Sequence, residues 1–209
     1  MPDVILMAGN VVTPEGLYEL VHKGHVDVVK VGIGSGAACT TRLKTGVGYP
    51  QFSAVSECSE AAKSYGCHII SDGGAVYAGD CAKAFAANAS FVMLGSMLAG
   101  HDESPGKIIT CPDTGIESKQ YYGMSSKIAN EKYNGGLKDY RSAEGKLTHI
   151  PLKGPLIEGL LDIEGGIRSA CTYVNAETLD ELAQNCVFIE VRQSYNMSLD
   201  KFVVGKTAG

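Results

Sequence analysis

The sequence predicts an α/β fold, and more particularly about half of a (β/α)8 TIM barrel. From residue 4 to residue 96, short apolar runs, glycine-rich turns and helical patterns follow one another in strict order, which is typical of parallel strands joined by helical crossovers. The runs are apolar almost throughout, as expected for strands buried on both faces. Each run ends in glycine and polar residues, which favours a barrel over a doubly wound sheet with its single functional switch point.

Four strand units make up this half of the barrel. Thr13 and Pro14 predict the cap and the first position of the first helix, which Gly24 ends. Ser53 is expected to open the second helix, and Gly66 to close it. The predicted strands cover residues 4–11, 26–34, 67–74 and 90–96, and the predicted helices cover residues 16–24, 53–66 and 79–89.

The alternation stops at Ser104. Residues 105–155, here called the flap segment, carry little periodic apolar pattern and many polar residues. We expect this segment to form a polar active-site excursion with a short hairpin at residues 107–122. The patterned stretches beyond it predict two helices and a last strand, at residues 155–165, 176–185 and 187–193. The whole chain, residues 1–209, is predicted to be a single barrel domain.

Composition narrows the class of protein. With 209 residues, 44% of them hydrophobic and 20% charged, the chain is globular rather than disordered. A net charge of −5 without a run of Lys and Arg argues against a nucleic-acid surface. Seven cysteines without a CxxC pair indicate free thiols of a reducing compartment, by default the cytoplasm, rather than a disulfide frame or zinc site. No apolar run approaches the roughly 20 residues that span a membrane.

Glycine-rich segments follow three of the predicted strands, at residues 32–36, 72–74 and 94–96. Backbone N–H groups in such segments can point at a phosphate, and the carboxyl ends of barrel strands meet at one mouth. Taken singly, a glycine after a strand is more often a simple turn. The three segments together favour an anion site. Asp72, at the end of an apolar strand, suits either the hydroxyls of a ribose or a turn cap.

Cys39 lies in the loop after the second strand, near Arg42 and Lys44, whose charges favour the reactive thiolate. Thr41 and Glu144 are the candidates for the proton-transfer groups that such a nucleophile needs. From the residues alone, Glu144 fits a solvated loop charge better than a catalyst. Four other cysteines are expected to be inert small apolar residues: Cys58, Cys67, Cys81 and Cys186.

An ordered set of motifs carries a family resemblance: MAGNVVT, KVGIGSGAACTTRLKTGVGYPQ, HIISDGG, GDCAKAF, FVMLGSMLAGHDES, YYGMSSKIA, GGLKDYRSAEGK and GGIRSACTYV. From Ile5 to about Gln193 the chain resembles the IMP dehydrogenase/GMP reductase family, whose fold is a (β/α)8 barrel. Three segments are similar to the reductase branch in particular: residues 44–51, 122–126 and 141–146. Ser96, in contrast, is the residue usual in the dehydrogenase branch.

The resemblance implies reductive deamination of GMP to IMP and ammonia, as in purine salvage. The Cys39 thiolate would add to C2 of the guanine, and ammonia would leave with a proton relayed through Thr41 and Glu144. NADPH would then deliver a hydride to the covalent thioimidate. The chain would act as a cytoplasmic homotetramer with a bound monovalent cation such as K⁺.

The same resemblance assigns binding roles to further residues. The substrate would be bound by Asp72, Gly73, Gly74, Gly95, Ser96, Gly123, Met124, Ser125, Arg141 and Gly145. NADPH would be bound by Ile33, Gly34, Met124, Tyr140 and Arg141, and by Ser169, Ala170, Cys171, Thr172 and Tyr173 of a neighbouring subunit. The cation would be held by carbonyl groups of Gly34, Gly36 and Cys39, with Arg42 beside them.

Two features depart from the family pattern. Ser35, Gly36 and Ala37 stand where the family has Pro-Gly-Ser, which removes one hydroxyl from the phosphate site unless Ser35 replaces it. The family barrel also has about 150 residues, carrying strands one to four, before the point that matches Met1. A lysine and an acid that contact the reacting pair are expected in that other half. An IMP dehydrogenase and an inactive nucleotide-binding fragment therefore stay open as alternatives.

Overall fold

A computed structural model describes residues 4–191 and contains two sheets. The first sheet has four parallel strands in the order β1-β2-β3-β4, with Met7 opposite Val28 and Val28 opposite His68. Its strands are Met7–Val11 (β1), Val28–Val31 (β2), His68–Asp72 (β3) and Phe91–Met93 (β4). Each strand lies inside the run predicted for it, so the predicted parallel β/α alternation is confirmed.

Proline, threonine and glycine residues mark the ends of most helices between these strands. They are Pro14–Tyr18 (α1), which continues in a π-helical turn at Glu19–Lys23, Thr41–Thr45 (α2), Gln51–Tyr65 (α3) and Ala78–Ala86 (α4). As predicted, Thr13 caps α1 with its side-chain oxygen and Pro14 follows it. The prediction that Ser53 opens α3 is wrong, because Pro50 fixes φ at −58° and the helix begins directly after it. Gly66 ends α3 at φ +66°, as predicted.

The core lies between this sheet and the helices α1, α3 and α4. Leu17, Val29 and Val31 are fully buried in it, with 0% of their surface exposed. Because side chains alternate along a strand, Lys30 points to the face of β2 opposite to Val29 and Val31. A charged side chain therefore stands on the face of the sheet that the core helices do not cover.

The flap segment contains a second, antiparallel sheet. Its strands are Ile108–Thr110 (β5), Glu117–Tyr122 (β6) and Leu147–Pro151 (β7). The hairpin predicted at residues 107–122 is confirmed as β5 and β6, with Ile108 opposite Lys119. The prediction missed β7 and the helix Lys127–Tyr133 (α5). β7 has only five residues of mixed polarity, exposed at alternate positions, and it pairs with a strand far away in sequence.

The last described elements correct three predicted boundaries. The helix predicted at residues 155–165 extends further, as Leu156–Tyr173 (α6), and the next one is shorter, as Leu179–Asn185 (α7). α6 does not end at Gly165 but continues through Gly166, where it packs so closely on α4 that a Cβ would lie 2.5 Å from the Cβ of Ala78. The strand predicted at 187–193 is wrong for residues 187–191, which form no strand, and its last two residues lie outside the described part. Among residues 4–191, no helix is both long and apolar enough to cross a membrane.

Gly32, directly after β2, has no room for a side chain. Its φ is +148°, and a Cβ would overlap the carbonyl oxygen of Asp72 and lie 2.9 Å from Oε1 of Gln51. We expect Gly32→Ala to lower the free energy of unfolding by about 2 kcal/mol or more. Urea denaturation measures this, with Gly79→Ala as the control. Gly79 lies in α4 with open space around it, so alanine there should stabilise by about 0.5–1 kcal/mol.

Candidate active site

A chain of hydrogen bonds joins Cys39, Thr41 and Glu144. The Sγ thiol of Cys39 donates to Oγ1 of Thr41 at 3.2 Å, and the same hydroxyl donates to Oε2 of Glu144 at 2.6 Å. All three residues are partly buried. A proton can therefore pass from the thiol, by way of the hydroxyl, to the carboxylate, which is the arrangement that an activated cysteine nucleophile needs. Glu144 is thus held at the cysteine and is not a solvated loop charge.

Backbone pairing brings the two distant segments together. The Thr40 N–H donates to the carbonyl of Glu144 at 2.7 Å, and the Lys146 N–H donates to the carbonyl of Ala38 at 2.9 Å. Gly145 lies at the centre of this short antiparallel pairing. The loop after β2 and the end of the flap segment therefore form one unit, although they are far apart in sequence.

Because Gly145 has no side chain, a third segment, residues 123–126, can pack closely against it. A Cβ on Gly145 would lie 2.8 Å from the nitrogen of Ser126 and 3.2 Å from the Cα of Gly123. The N–H of Glu144 donates to the carbonyl of Ser125 at 3.0 Å, which ties this third segment to the cysteine unit. The predicted substrate residues Gly123, Ser125 and Gly145 are therefore neighbours.

Asp72, at the end of β3, is held by two side chains from neighbouring strands. Its Oδ2 accepts hydrogen bonds from Nδ2 of Asn10, at 2.9 Å, and from Nζ of Lys30, with which it also forms an ion pair. These contacts exclude the turn-cap interpretation of Asp72. Sequence reasoning missed Asn10 and Lys30, although a lysine inside the apolar strand VVKV was the signal available.

The loops after β2 and β3 touch through Ser35. Its hydroxyl donates to the carbonyl of Asp72 at 2.9 Å, and its own carbonyl accepts from the N–H of Gly74 at 3.0 Å. A Cβ on Gly73 would lie 2.5 Å from the Ser35 hydroxyl oxygen. Ser35 thus holds the two glycine loops together, and its hydroxyl is engaged with backbone in this structure.

The third glycine segment, after β4, carries Gly95 and Ser96. The Gly95 carbonyl accepts hydrogen bonds from the N–H groups of Leu98 and Ala99, both at 3.1 Å. A Cβ on Gly95 would lie 2.9 Å from the hydroxyl oxygen of Tyr121 on β6, a residue that the sequence reasoning also missed. Burial raises the pKa of Tyr121, so its hydroxyl keeps its proton as a hydrogen-bond donor.

The residues predicted to bind a dinucleotide fall into two places. A cavity of about 110 Å³ is lined by Met124, Arg141 and Glu144, among others, and Tyr140 stands next to it in sequence with 85% of its surface exposed. Residues 169–173, in contrast, form the end of α6. Among the described residues, no hydrogen bond links them to the Cys39 unit.

The residues predicted to bind a cation form a tight turn around Cys39. The Gly36 carbonyl accepts from the Cys39 N–H at 2.9 Å, whereas the carbonyls of Gly34 and Cys39 have no hydrogen-bond donor among residues 4–191. These two carbonyls fit a monovalent cation, which takes oxygen ligands. The side chain of Arg42 packs over Gly34 and donates to the carbonyl of Tyr49 at 2.5 Å. No cluster of three or more His, Cys, Asp or Glu that could hold a metal occurs in the described part of the chain.

Fold and site together define an α/β domain that places a hydrogen-bonded chain of cysteine, threonine and glutamate at the carboxyl ends of parallel strands. The family model of the IMP dehydrogenase / GMP reductase domain matches residues 1–197, and the chain belongs to this family. Over 195 residues it is 55% identical to GMP reductase 2 of Mus musculus and 52% identical to GMP reductase of Yersinia enterocolitica. Each alignment covers 93% of this chain and 55% of the relative, so the chain spans about half the length of these relatives.

A solved structure agrees with these matches. The crystal structure of a cysteine-to-alanine variant of GMP reductase from Trypanosoma brucei, in complex with guanosine 5'-monophosphate, superimposes with a TM-score of 0.85 at 34% identity. The superposition covers 96% of this chain and 40% of that one. The chain is therefore part of a TIM barrel, as predicted, and its β/α units are those of the family barrel.

The cysteines outside the site differ in reactivity. Burial raises the pKa of Cys58 from 9.0 to about 11, whereas a hydrogen bond from the Thr114 side chain lowers the pKa of Cys111. At about pH 8 the thiolate fraction of Cys58 is therefore roughly 100-fold below that of an ordinary thiol. We expect iodoacetamide to label Cys111 long before Cys58, as measured by mass spectrometry of labelled peptides. Labelling in urea should remove the difference, and equal rates in the folded chain would contradict it.

Proposed function

We propose that this chain carries the nucleophile half of a GMP reductase, which converts GMP to IMP and ammonia with NADPH. The observation that carries the proposal is the hydrogen-bonded chain from the Cys39 thiol through Thr41 to Glu144. The names of the curated relatives support it, because all of those compared above are GMP reductases. An IMP dehydrogenase is supported only at the level of the family name.

In the proposed mechanism, Cys39 forms the bond to the substrate, and Thr41 and Glu144 transfer the proton. Thr41 and Glu144 remove the thiol proton of Cys39, whose sulfur then forms a bond to C2 of the guanine. The C2–N bond to the exocyclic amine breaks, and Glu144 returns the proton through Thr41 so that the amine leaves as ammonia. Bound NADPH would supply the hydride that reduces C2. The sulfur–C2 bond then breaks, which releases IMP and restores the Cys39 thiolate.

The remaining polar groups bind the nucleotide. Asp72 accepts hydrogen bonds from the ribose hydroxyls, and Lys30 and Asn10 hold its carboxylate in place. The phosphate lies between the loops of Gly74 and Gly95, where no Cβ blocks its approach, and it accepts from the N–H group of Gly95, because the N–H of Gly74 is bonded to the Ser35 carbonyl. The further phosphate contacts are Gly73, Ser96 and the Tyr121 hydroxyl, and the base lies against Gly123, Met124, Ser125, Arg141 and Gly145.

The cofactor and the cation follow from the same proposal. Met124 and Tyr140 have 71% and 85% of their surface exposed beside the Arg141 cavity, and a polarisable thioether and a flat aromatic ring both suit contact with a nicotinamide ring. Ile33 and Gly34 would contact the dinucleotide from the loop after β2, and residues 169–173 would reach the dinucleotide of a neighbouring subunit in a homotetramer. K⁺ binds the carbonyls of Gly34, Gly36 and Cys39. The reaction belongs to purine salvage in the cytoplasm.

The test is a spectroscopic assay of the 209-residue chain with GMP and NADPH. Loss of the nicotinamide absorbance band that depends on GMP, with release of ammonia, would establish the reductase. A gain of that band with IMP and NAD⁺ would establish the dehydrogenase instead. Titration calorimetry with GMP is run in parallel. Binding without turnover would show that this chain holds the nucleotide but that its chemistry needs further residues.

A further inference from the structure

Lys119, on β6, is a buried charge without an acidic partner. Only 6% of its surface is exposed, and within the described chain no carboxylate lies at salt-bridge distance from it. Its Nζ donates to the carbonyl oxygens of His101 at 2.7 Å, Ser104 at 2.8 Å and Asp102 at 3.3 Å. Three acceptors require three N–H donors, which only the protonated amine provides. Strand β6 of the flap segment thus places an ammonium group among three carbonyl oxygens.

The segment that supplies these carbonyls is continuous with the glycine turn after β4. Gly95 begins a hydrogen-bonded turn, and Gly100 donates from its N–H to the hydroxyl of Ser104 at 3.1 Å. The same hydroxyl donates to the carbonyl of His101 at 2.7 Å. Residues 95–104, here called the anchored loop, therefore contain two hydrogen-bonded turns, one at each end.

A second lysine holds the other end of the anchored loop. Nζ of Lys153, just after β7, donates to the carbonyls of Met97 at 3.0 Å and Ser96 at 3.2 Å. Its backbone N–H donates to the carbonyl of Gly100 at 3.0 Å. The side chains of two flap-segment lysines therefore engage five carbonyl oxygens of a ten-residue loop, and the backbone N–H of Lys153 engages a sixth.

These contacts matter for anion binding because carbonyl oxygens repel a phosphate, whereas N–H groups attract it. An ammonium group that holds carbonyls on the flap side of the loop fixes the orientation of the peptide units between them. We propose that Lys119 is a positioning residue for phosphate recognition, an internal cation that fixes the anchored loop so that Gly95 and Ser96 can receive the nucleotide phosphate. Lys119 does not touch the nucleotide, and Lys153 supports the same loop from its other end. The proposal rests on the proposed function for the identity of the nucleotide.

Chemical rescue tests this role. Lys119→Ala removes the ammonium but leaves the three carbonyls and a space that methylammonium, with its three N–H donors, can fill. We expect this variant to unfold at a lower temperature and to bind GMP at least tenfold more weakly, with guanosine affinity unchanged because guanosine has no phosphate. Methylammonium should restore both the unfolding temperature and the GMP affinity. Tetramethylammonium at the same concentration has no N–H donor and should restore neither, and the unchanged chain should respond to neither salt.

Several outcomes would overturn the proposal. These are unchanged GMP affinity in Lys119→Ala, an equal loss for guanosine, and equal recovery with tetramethylammonium. If Lys119→Ala does not fold, the Lys153→Met variant provides the test instead. The Lys153 side chain is exposed, so its loss leaves the core intact. It should weaken GMP binding and spare guanosine, and unchanged GMP affinity there would also overturn the proposal.

If the proposed function itself is wrong, the binding experiments give a different result. In that case the unchanged chain binds neither GMP nor guanosine. A recovery of the unfolding temperature of Lys119→Ala that is specific to methylammonium would still support the internal cation, because that measurement uses no nucleotide.

Discussion

Replacing Cys39 by alanine is expected to abolish GMP-dependent oxidation of NADPH, by about 10⁴-fold or more in kcat, while GMP still binds. The physical reason is that, in the proposed mechanism, Cys39 forms the covalent bond to C2, whereas Thr41 and Glu144 only move the proton that Cys39 releases. Stopped-flow absorbance of the nicotinamide band measures the rate, and titration calorimetry measures GMP affinity.

Two further variants sharpen the result. Cys39→Ser keeps a hydroxyl nucleophile in the same hydrogen-bonded position and should retain at most a trace of activity, since an alcohol is a much weaker nucleophile at neutral pH than a thiolate. Cys111→Ala removes a thiol whose pKa is lowered by the Thr114 side chain, at the turn between β5 and β6, and should leave kcat unchanged. Ammonia release by Cys39→Ala at the original rate would remove the cysteine from the mechanism.

Replacing Glu144 by glutamine is the second large effect that we expect, about 10²- to 10³-fold in kcat. The amide is the same size as the carboxylate, but it cannot take the proton that the Thr41 hydroxyl donates at 2.6 Å. The backbone pairing between Glu144 and Thr40 stays intact, so the loop around Cys39 keeps its position. The KM for GMP should therefore change little, and steady-state kinetics separates the two parameters.

The matched control is Glu131→Gln on α5. Glu131 is an exposed acid of the flap segment that forms only a surface ion pair with Lys127, at 3.8 Å, and such pairs contribute little. Its replacement should leave both kcat and KM unchanged. A Glu144→Gln variant with full kcat would show that the proton reaches the leaving amine by another route, and an equal rise in KM and fall in kcat would indicate damage to the binding site instead.

The sequence by itself determined the parallel β/α half of the fold and the loops that carry its chemistry. The signals are local ones: apolar runs of strand length, Thr13 and Pro14 at a helix start, Gly66 at a helix end, and glycine after three strands. Local signals place a residue on an element but not beside a distant partner. For the same reason Cys39 could be located in its loop from the sequence, whereas the role of its neighbours could not be decided.

The tertiary structure alone decided which polar residues meet. Glu144 hydrogen-bonds to Thr41 across 103 positions of sequence, and Lys30 reaches Asp72 from a neighbouring strand. The length of α6 and the presence of β7 also depend on neighbouring elements. Gly166 lies inside α6 where the helix packs closely on Ala78 of α4. The short strand β7 forms because it pairs with β6. From the sequence alone, Lys119 would be predicted to be an exposed charge in a polar segment. Only the fold encloses its ammonium group in three carbonyl oxygens, because the burial and electrostatics of a side chain are properties of all the segments that surround it.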